Sequence, residues 1–408
     1  MTSGASLTRR GLLASLPASA LIVSGCQSEP TAEDVLRSLI EGPDDNRAPA
    51  AGIVVMRNNL VVAQAAAGEA QVGTLAFTTR SALRAASVSK MVVALTAEKL
   101  HHDGKLNLDK GVRTWLQFFP SDTAAGPEGP SLRALLSHTG GMKDPEVYWL
   151  AHPGNIETLL TREAFRDNTD FEYCNLAYGV VATAIEVATQ RRFDRVARDI
   201  VLTPMGLDAG FNWSGVTPEK KRAGATLYRN FGNGWASQID DRDMLRASEP
   251  SVLLDDGADL MSYQPGTNGT LFSPQGGLRA NLIDLATIAA RLKYAPELTR
   301  PGWSLNAAES NGVHDGRYFT RYGTGVQIHP AEESLWPGHE VWGHHGEAYG
   351  LYSGAWYVPD LNVSFAYAVT GTPDGTPERS VRHPALNVFT EVLMDAVLAA
   401  YAASPASK

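Results

Sequence analysis

Leu83-Arg84-Ala85-Ala86-Ser87-Val88-Ser89-Lys90-Met91 leads into a strong helical pattern, and its reading decides the rest of the chain. From Ser87 to about His102, the residues Val88, Met91, Val92, Leu95 and Leu100 fall on one face, and Gly104 supplies a stop. Residues i and i+3 share a helix face, so the Ser87 hydroxyl and the Lys90 amine come within hydrogen-bond reach. In the first turn, Ser87 also stands at the positive end of the helix dipole. Backbone N–H groups there lack intrahelical partners, and developing alkoxide charge is favoured. A free lysine titrates near ~10.4 and is a poor base at neutral pH, so Lys90 must be desolvated to help; Met91 and Val92 can supply that burial. Alone, S-x-x-K is a weak signal that also fits a solvated helix start. Its company gives it weight.

Tyr173 and Asn175 stand two apart, so an extended loop points both side chains the same way. A nearby cation favours the phenolate, which makes Tyr173 a candidate general base toward Ser87 and later an acid toward the leaving group. The plain alternative is a core tyrosine with a turn-forming asparagine. Cys174 lies between them and turns the other way, which reads as packing rather than as a nucleophile. His339, Glu340, His344 and His345 cluster in sequence, but the two outer histidines are five apart and do not match H-E-x-x-H. On a strand His344 and His345 face opposite sides, so no metal is expected there. His101-His102 reads as a favourable charge at a helix C-terminus. No G-x-S-x-G occurs, which excludes a nucleophile elbow of the α/β-hydrolase kind.

The segment 83–91 closely resembles the nucleophile segment of class C β-lactamases and D-alanyl-D-alanine carboxypeptidases. Leu135-Leu136-Ser137-His138-Thr139-Gly140-Gly141-Met142 is similar to the helix-end segment of that family, and Phe171-Glu172-Tyr173-Cys174-Asn175-Leu176-Ala177-Tyr178-Gly179 to its Y-x-N element. Pro204-Met205-Gly206-Leu207 and Pro274-Gln275-Gly276-Gly277-Leu278, followed by Asp284-Leu285-Ala286, are further matches. His344-His345-Gly346 stands where the family has K-T-G or H-x-G. The resemblance runs from about residue 40 to about 400. It implies a serine β-lactamase-related protein, with β-lactamase-fold esterases included, in which Ser87 is the nucleophile and Lys90 and Tyr173 handle protons. Asn175 would hydrogen-bond the substrate amide and Lys90. His344, His345 and Gly346 would edge the pocket, and the backbone N–H groups of Ser87 and Glu347 would form the oxyanion hole. With His344 in the lysine position, attraction for a substrate carboxylate should weaken as pH rises past ~6.5. That departure disfavours a dedicated β-lactamase against a peptidase-like or esterase-like activity.

The implied fold is α/β in the α+β sense: β-lactamase/transpeptidase-like, a mainly antiparallel sheet flanked by helices with an inserted, mostly helical region. The pattern along the chain agrees. A short amphipathic helix at 32–41, capped by Thr31, follows a linker, the two spanning 27–48, and the hydrolase domain takes 49–402. A hairpin at 52–63 and strands at 323–328, 341–345, 352–358 and 363–369 put sheet in about 49–80 and 320–402. Helices at 131–138, 175–190 and 281–293 place the helical region at about 105–290, and a last helix covers 384–400. The long Gly/Pro/Asp-rich stretch 205–275 is expected to line or cover a site.

Residues 1–26 are set aside as an export signal. Arg9-Arg10 precede an apolar run to Val23, in the manner of a twin-arginine leader, and Val23-Ser24-Gly25-Cys26 looks like a lipoprotein-processing box with Cys26 acylated. Cleavage before Cys26 removes two positive charges and no negative one, taking the net charge from −9 to −11. That balance, without a basic stripe, argues against nucleic acid as a partner. Only Cys174 then remains besides the acylated cysteine, so no disulfide is expected. No later run is long and apolar enough for a membrane helix. The expected protein is exported, periplasmic or membrane-anchored as a lipoprotein, needs no cofactor, and meets the membrane through its lipid. It hydrolyses an amide, β-lactam or ester carbonyl of a small-molecule or peptide substrate through an acyl-enzyme. A reading from another class is an idle, tethered cell-wall-binding protein, which would be expected to lose Ser87, Lys90 or Tyr173; none is missing.

Overall fold

The computed structural model of the chain describes residues 30–42, 47–232, 234–238, 262–305, 319–373, 380, 382–383 and 385–405. The leader and Cys26, with parts of 205–275, lie outside them. Helices in chain order are α1 (Ala32–Ile40), α2 (Ser89–His102), α3 (Leu132–Leu136), α4 (Leu176–Thr189), α5 (Phe193–Ala197), α6 (Pro218–Arg222), α7 (Leu282–Arg291) and α8 (Val388–Ala403). Strands are β1 (Ala50–Arg57), β2 (Leu60–Gln71), β3 (Leu75–Ala76), β4 (Leu83–Arg84), β5 (Gly210–Phe211), β6 (Leu227–Asn230) and β7 (Trp235–Gln238). β8 (Leu278–Ala280), β9 (Trp303–Ser304), β10 (Arg321–Tyr322), β11 (Gln327–His329), β12 (Val341–Ala348), β13 (Leu351–Val358) and β14 (Val363–Thr370) follow.

Nine strands from the two ends of the chain make one antiparallel sheet, in the order β3-β2-β1-β14-β13-β12-β11-β10-β9. Its middle strands are apolar on both faces because both faces are covered. Ile53 and Val55 of β1 point into one core with Phe365, Tyr367, Leu393 and Val397, closed by α1 and α8. Val54 and Met56 point the other way, into the larger core with Leu285 and Ile288 of α7 and most of α2 and α4. A fully buried Val, Leu or Ile contributes about 1.5–3 kcal/mol, so β1 is stabilised from both of its covered faces. The Thr31 cap of α1 forms as expected, with Asp34 returning the bond as a capping box.

Two expected elements differ. The helix foreseen from Ser87 begins at Ser89; Ala86–Val88 form a tighter 3₁₀ turn before it. The strand foreseen at 323–328 is a hairpin between β10 and β11, because Gly325 turns the chain with φ +71° and backs onto the Ala94 methyl and the Lys90 carbonyl of α2. Among the described residues no helix is long and apolar enough to cross a membrane.

A small second sheet, β4-β8-β5, sets the nucleophile turn in place. β4 pairs with β8, and the Ala85 N–H continues the pairing to the Leu278 carbonyl at 2.8 Å. The Ser89 hydroxyl accepts from Leu278 N–H at 3.0 Å and donates to the Ala86 carbonyl at 2.6 Å. These bonds hold Ala86 at φ +49°, a left-handed conformation that costs an alanine about 1 kcal/mol or more. Strand β12 closes the other side. A side chain on Gly346 would put its Cβ 2.6 Å from the Ala85 carbonyl, so only glycine allows this approach.

Candidate active site

Lys90 is wholly buried, and its amine meets three oxygens: Ser87 Oγ at 3.1 Å, Asn175 Oδ1 at 2.8 Å and the Gln275 carbonyl at 3.0 Å. The rings of Tyr173 and Tyr178 lie 4.7 and 5.2 Å from it. Burial pulls the Lys90 ammonium down to about 7, and the nearby Asp144 carboxylate partly opposes this. A neutral amine has two N–H bonds and one lone pair. Asn175 Oδ1 and the Gln275 carbonyl can only accept, so they take the two hydrogens. The lone pair is left facing Ser87, whose hydroxyl can donate to it.

Ser87 and Tyr173 are half-buried, and their hydroxyls are hydrogen-bonded to each other. The structure corrects one expectation here. Desolvation pushes the Tyr173 phenol well above its ordinary range, and the bond to Ser87 opposes this only in part. At neutral pH Tyr173 is a proton donor, while Lys90 is the group whose titration falls near 7.

The Tyr173 loop reaches α2 because two residues tie it down. His138, in the left-handed region at φ +60° after α3, accepts from Glu172 N–H on its carbonyl at 2.9 Å and from Cys174 N–H on Nδ1 at 3.1 Å. Asp144 accepts from Asn175 Nδ2 and from Leu176 N–H, each at 2.8 Å, and from the Cys174 thiol at 3.4 Å. Cys174 is buried, with its thiol pushed well above its ordinary value by desolvation, as a packing residue should be.

The paired histidines behave differently from the expectation. His344 is 1% exposed and is pushed to about 3 by burial, with the Lys90 charge adding to the effect. It is therefore neutral at physiological pH and carries no charge for a substrate carboxylate. Its Nε2 accepts from Tyr322 Oη at 2.8 Å, Tyr322 accepts from His138 Nε2 at 3.2 Å, and His344 Nδ1 donates to the His345 carbonyl. With His138 Nδ1 already an acceptor, every proton in this chain has one consistent place. The His345 side chain does not share the pocket with Ser87. It lies on the opposite face of β12, bonded to Tyr367 Oη at 3.0 Å and packed on Trp356 and His329.

Glu347 follows at the exposed end of β12, just past the close approach of Gly346 to Ala85. His339 bonds Asp360 and Glu340 bonds Trp342, so the histidine-rich stretch does not converge. Among the described residues, Glu98, His102 and Glu297 bring their ligand atoms within 4.8 Å of one another. That group is at the far end of α2 from Ser87, and Arg133 already pairs with Glu98 at 3.2 Å.

The site thus joins Ser87, Lys90, Tyr173 and Asn175, with Gly346 beside the nucleophile turn. It adds Asp144, His138, Tyr322 and the Gln275 carbonyl, whose parts the sequence did not disclose. Asp144 follows the Gly140-Gly141 stop closely, but nothing in a single sequence ties it to Asn175.

This constellation on an antiparallel sheet flanked by helices defines a serine hydrolase in general. A family model described as Beta-lactamase matches residues 36–388, and the chain belongs to that family. Penicillin-binding protein 4 of Amycolatopsis lactamdurans is 30% identical over 142 residues, which are 33% of this chain and 36% of that protein. The match therefore spans about a third of that relative's length. Among solved structures, a D-amino acid amidase from Ochrobactrum anthropi superposes with a TM-score of 0.63 at 16% identity, covering 90% of this chain and 96% of that one. A D-stereospecific amidohydrolase from Streptomyces sp. gives 0.59 at 16% identity over 89% and 96%. The octameric penicillin-binding protein homologue from Pyrococcus abyssi gives 0.61 at 18% identity over 86% and 73%. These likenesses establish the fold.

Proposed function

We propose that the protein is an acyl-enzyme hydrolase in which Ser87 attacks an amide or ester carbonyl and Lys90 is the base. The observation that carries this reading is a wholly buried Lys90 amine 3.1 Å from Ser87 Oγ whose other two partners, Asn175 Oδ1 and the Gln275 carbonyl, can only accept. Neutral Lys90 takes the Ser87 proton as Oγ bonds to the carbonyl carbon. Tyr173, still protonated, delivers its proton to the departing nitrogen or oxygen as that bond breaks, and the proton on Lys90 makes up the loss as the site resets. Water then enters by the same relay and releases the acid. The N–H groups of Ser87 and Glu347 would hold the oxyanion, an interaction worth about 10²–10³ in rate per donor. Gly346 against Ala85 supports that pairing.

The neutral His344 favours substrates whose recognition does not rest on a carboxylate. The D-amino acid amidase and D-stereospecific amidohydrolase likenesses support an amide next to a D-configured acyl residue, ahead of a C-terminal-carboxylate peptide or a β-lactam. A short-chain ester is the second reading, supported by the same missing charge. A panel of D-phenylalanine amide, a nitrophenyl butyrate, a D-Ala-D-Ala peptide and a chromogenic cephalosporin tests the order. Every turnover seen should vanish in Ser87→Ala, and turnover surviving that change overturns the assignment.

The paired arginines and the box ending at Cys26 support export and a lipid tether. Cells fed labelled palmitate should yield labelled protein, and Cys26→Ser should yield none; equal labelling of both would refute the tether.

A further inference from the structure

The two ends of an asparagine amide have nearly the same shape, so neighbouring donors and acceptors decide which way it points. For Asn175 the direction matters. With its oxygen toward Lys90, it accepts one of the two hydrogens of the neutral amine and leaves the lone pair for Ser87. Turned over, it would set N–H groups against the amine and draw the lone pair toward itself. Lys90 cannot enforce the choice alone, because a neutral amine can accept as well as donate.

Asp144 can, because a carboxylate only accepts. Its Oδ2 takes Asn175 Nδ2 at 2.8 Å, which forces Oδ1 of the amide toward Lys90. Its other oxygen is fixed by the Leu176 N–H at 2.8 Å and the Cys174 thiol at 3.4 Å. Leu176 is the first residue of α4, whose own N-cap, Asn175, makes no side-chain capping bond. The capping residue has been released to face Lys90, and an acid from 31 residues upstream takes over its task.

We propose that Asp144 is a positioning residue: by holding the Asn175 amide with its oxygen toward Lys90, it aims the lone pair of the amine at Ser87. The inference rests on the hydrolase reading above. Asp144 also acts through space. Around Lys90, Tyr173 and Tyr178 stay protonated, the Cys174 thiol is pushed up, and His138 and His344 are pushed down into their neutral forms. Asp144 is the anion that acts on the amine, and it raises the amine's basicity.

Asp144→Asn keeps the shape but replaces one carboxylate oxygen with an NH2 group, which stands against either the Asn175 Nδ2 or the Leu176 N–H donor. Plateau kcat should fall about 10–100-fold, the cost of a mis-set catalytic geometry. The acid limb of kcat/KM should move to lower pH, since Lys90 loses a stabilising anion. In an Asn175→Ala background the same change should lower kcat no further, because its path through the amide is gone. A helix-capping role alone predicts a lower Tm with limb and plateau unmoved, and that result overturns the proposal. If Asp144→Asn does not fold, Asp144→Glu keeps the charge and displaces it: the limb should stay and the plateau fall, and a wild-type plateau overturns the proposal equally. Turnover lost in Ser87→Ala but insensitive to Asp144→Asn removes this inference alone. Turnover surviving Ser87→Ala removes the hydrolase reading and this inference together.

Discussion

Two buried ionisable groups, Lys90 and Glu186, are driven by desolvation from opposite sides toward the same value, about 7. Each is held by three partners. The Lys90 amine faces three oxygens, while the Glu186 carboxylate accepts from Tyr263 Oη at 2.6 Å and from Gly266 N–H and Phe193 N–H, each at 2.9 Å. What separates them is the chemistry of the partners. One partner of Lys90 is a half-buried hydroxyl that has a proton to give and a carbonyl to attack. The main-chain partners of Glu186 join α4 to the start of α5 and to the stretch that leads to Gln275. The same end value supplies a base in one place and a pH-sensitive tie in the other, so a perturbed pKa marks a functional group only when a reacting partner comes with it.

The sharpest test of this contrast is at Lys90. Lys90→Met keeps the bulk and removes the base, and turnover should fall about 10²–10⁴-fold. In the wild-type enzyme kcat/KM should fall tenfold per pH unit below an apparent pKa of about 7, because protonated Lys90 has no lone pair. Both buried groups titrate near this point, so the limb alone does not say which one it reports. Glu186→Gln decides. The limb should stay where it is, and a limb that moves with Glu186 would break the distinction drawn here.

The parts of the site that lie within one turn or one loop were legible in the sequence. Ser87 and Lys90 meet because of helical spacing, and Tyr173 and Asn175 because of the loop they share. The sheet was legible from short, mostly apolar runs at both ends of the chain, and the structure builds it from those ends. The charge states were not. The sequence suggests His344 at its value in water and Tyr173 drawn toward the phenolate by a nearby cation; burial overturns both expectations, holding His344 down and Tyr173 up. Burial is a property of the assembled fold. So is the meeting of Asp144 with Asn175, or of Tyr322 with His138 and His344. The strand expected at 323–328 gives way to a hairpin for a local reason, since Gly325 turns the chain inside that run.

The smaller effect belongs to the tie. Glu186 has a folded pKa of about 7 against an ordinary 4.5, so between those values the native state keeps a proton that the unfolded chain has lost. The unfolded state then binds fewer protons, and stability falls as pH rises through this window. The contribution is complete below pH ~4.5 and gone above ~7, and a shift of that size corresponds to about 3 kcal/mol. Glutamine at 186 cannot titrate. The difference in unfolding free energy between wild type and Glu186→Gln, measured by urea at pH 5 and again at pH 8, should therefore move by about 2.5 kcal/mol against the wild type. Catalytic rate at a fixed pH should change little, because the Gln275 carbonyl is also held through the Ser273 turn, where Gly276 N–H and Gly277 N–H both bond the Ser273 carbonyl. A Glu186→Gln enzyme with a pH-independent stability difference would mean that the carboxylate is already ionised throughout the range. The likeness between the two groups would then end with their burial.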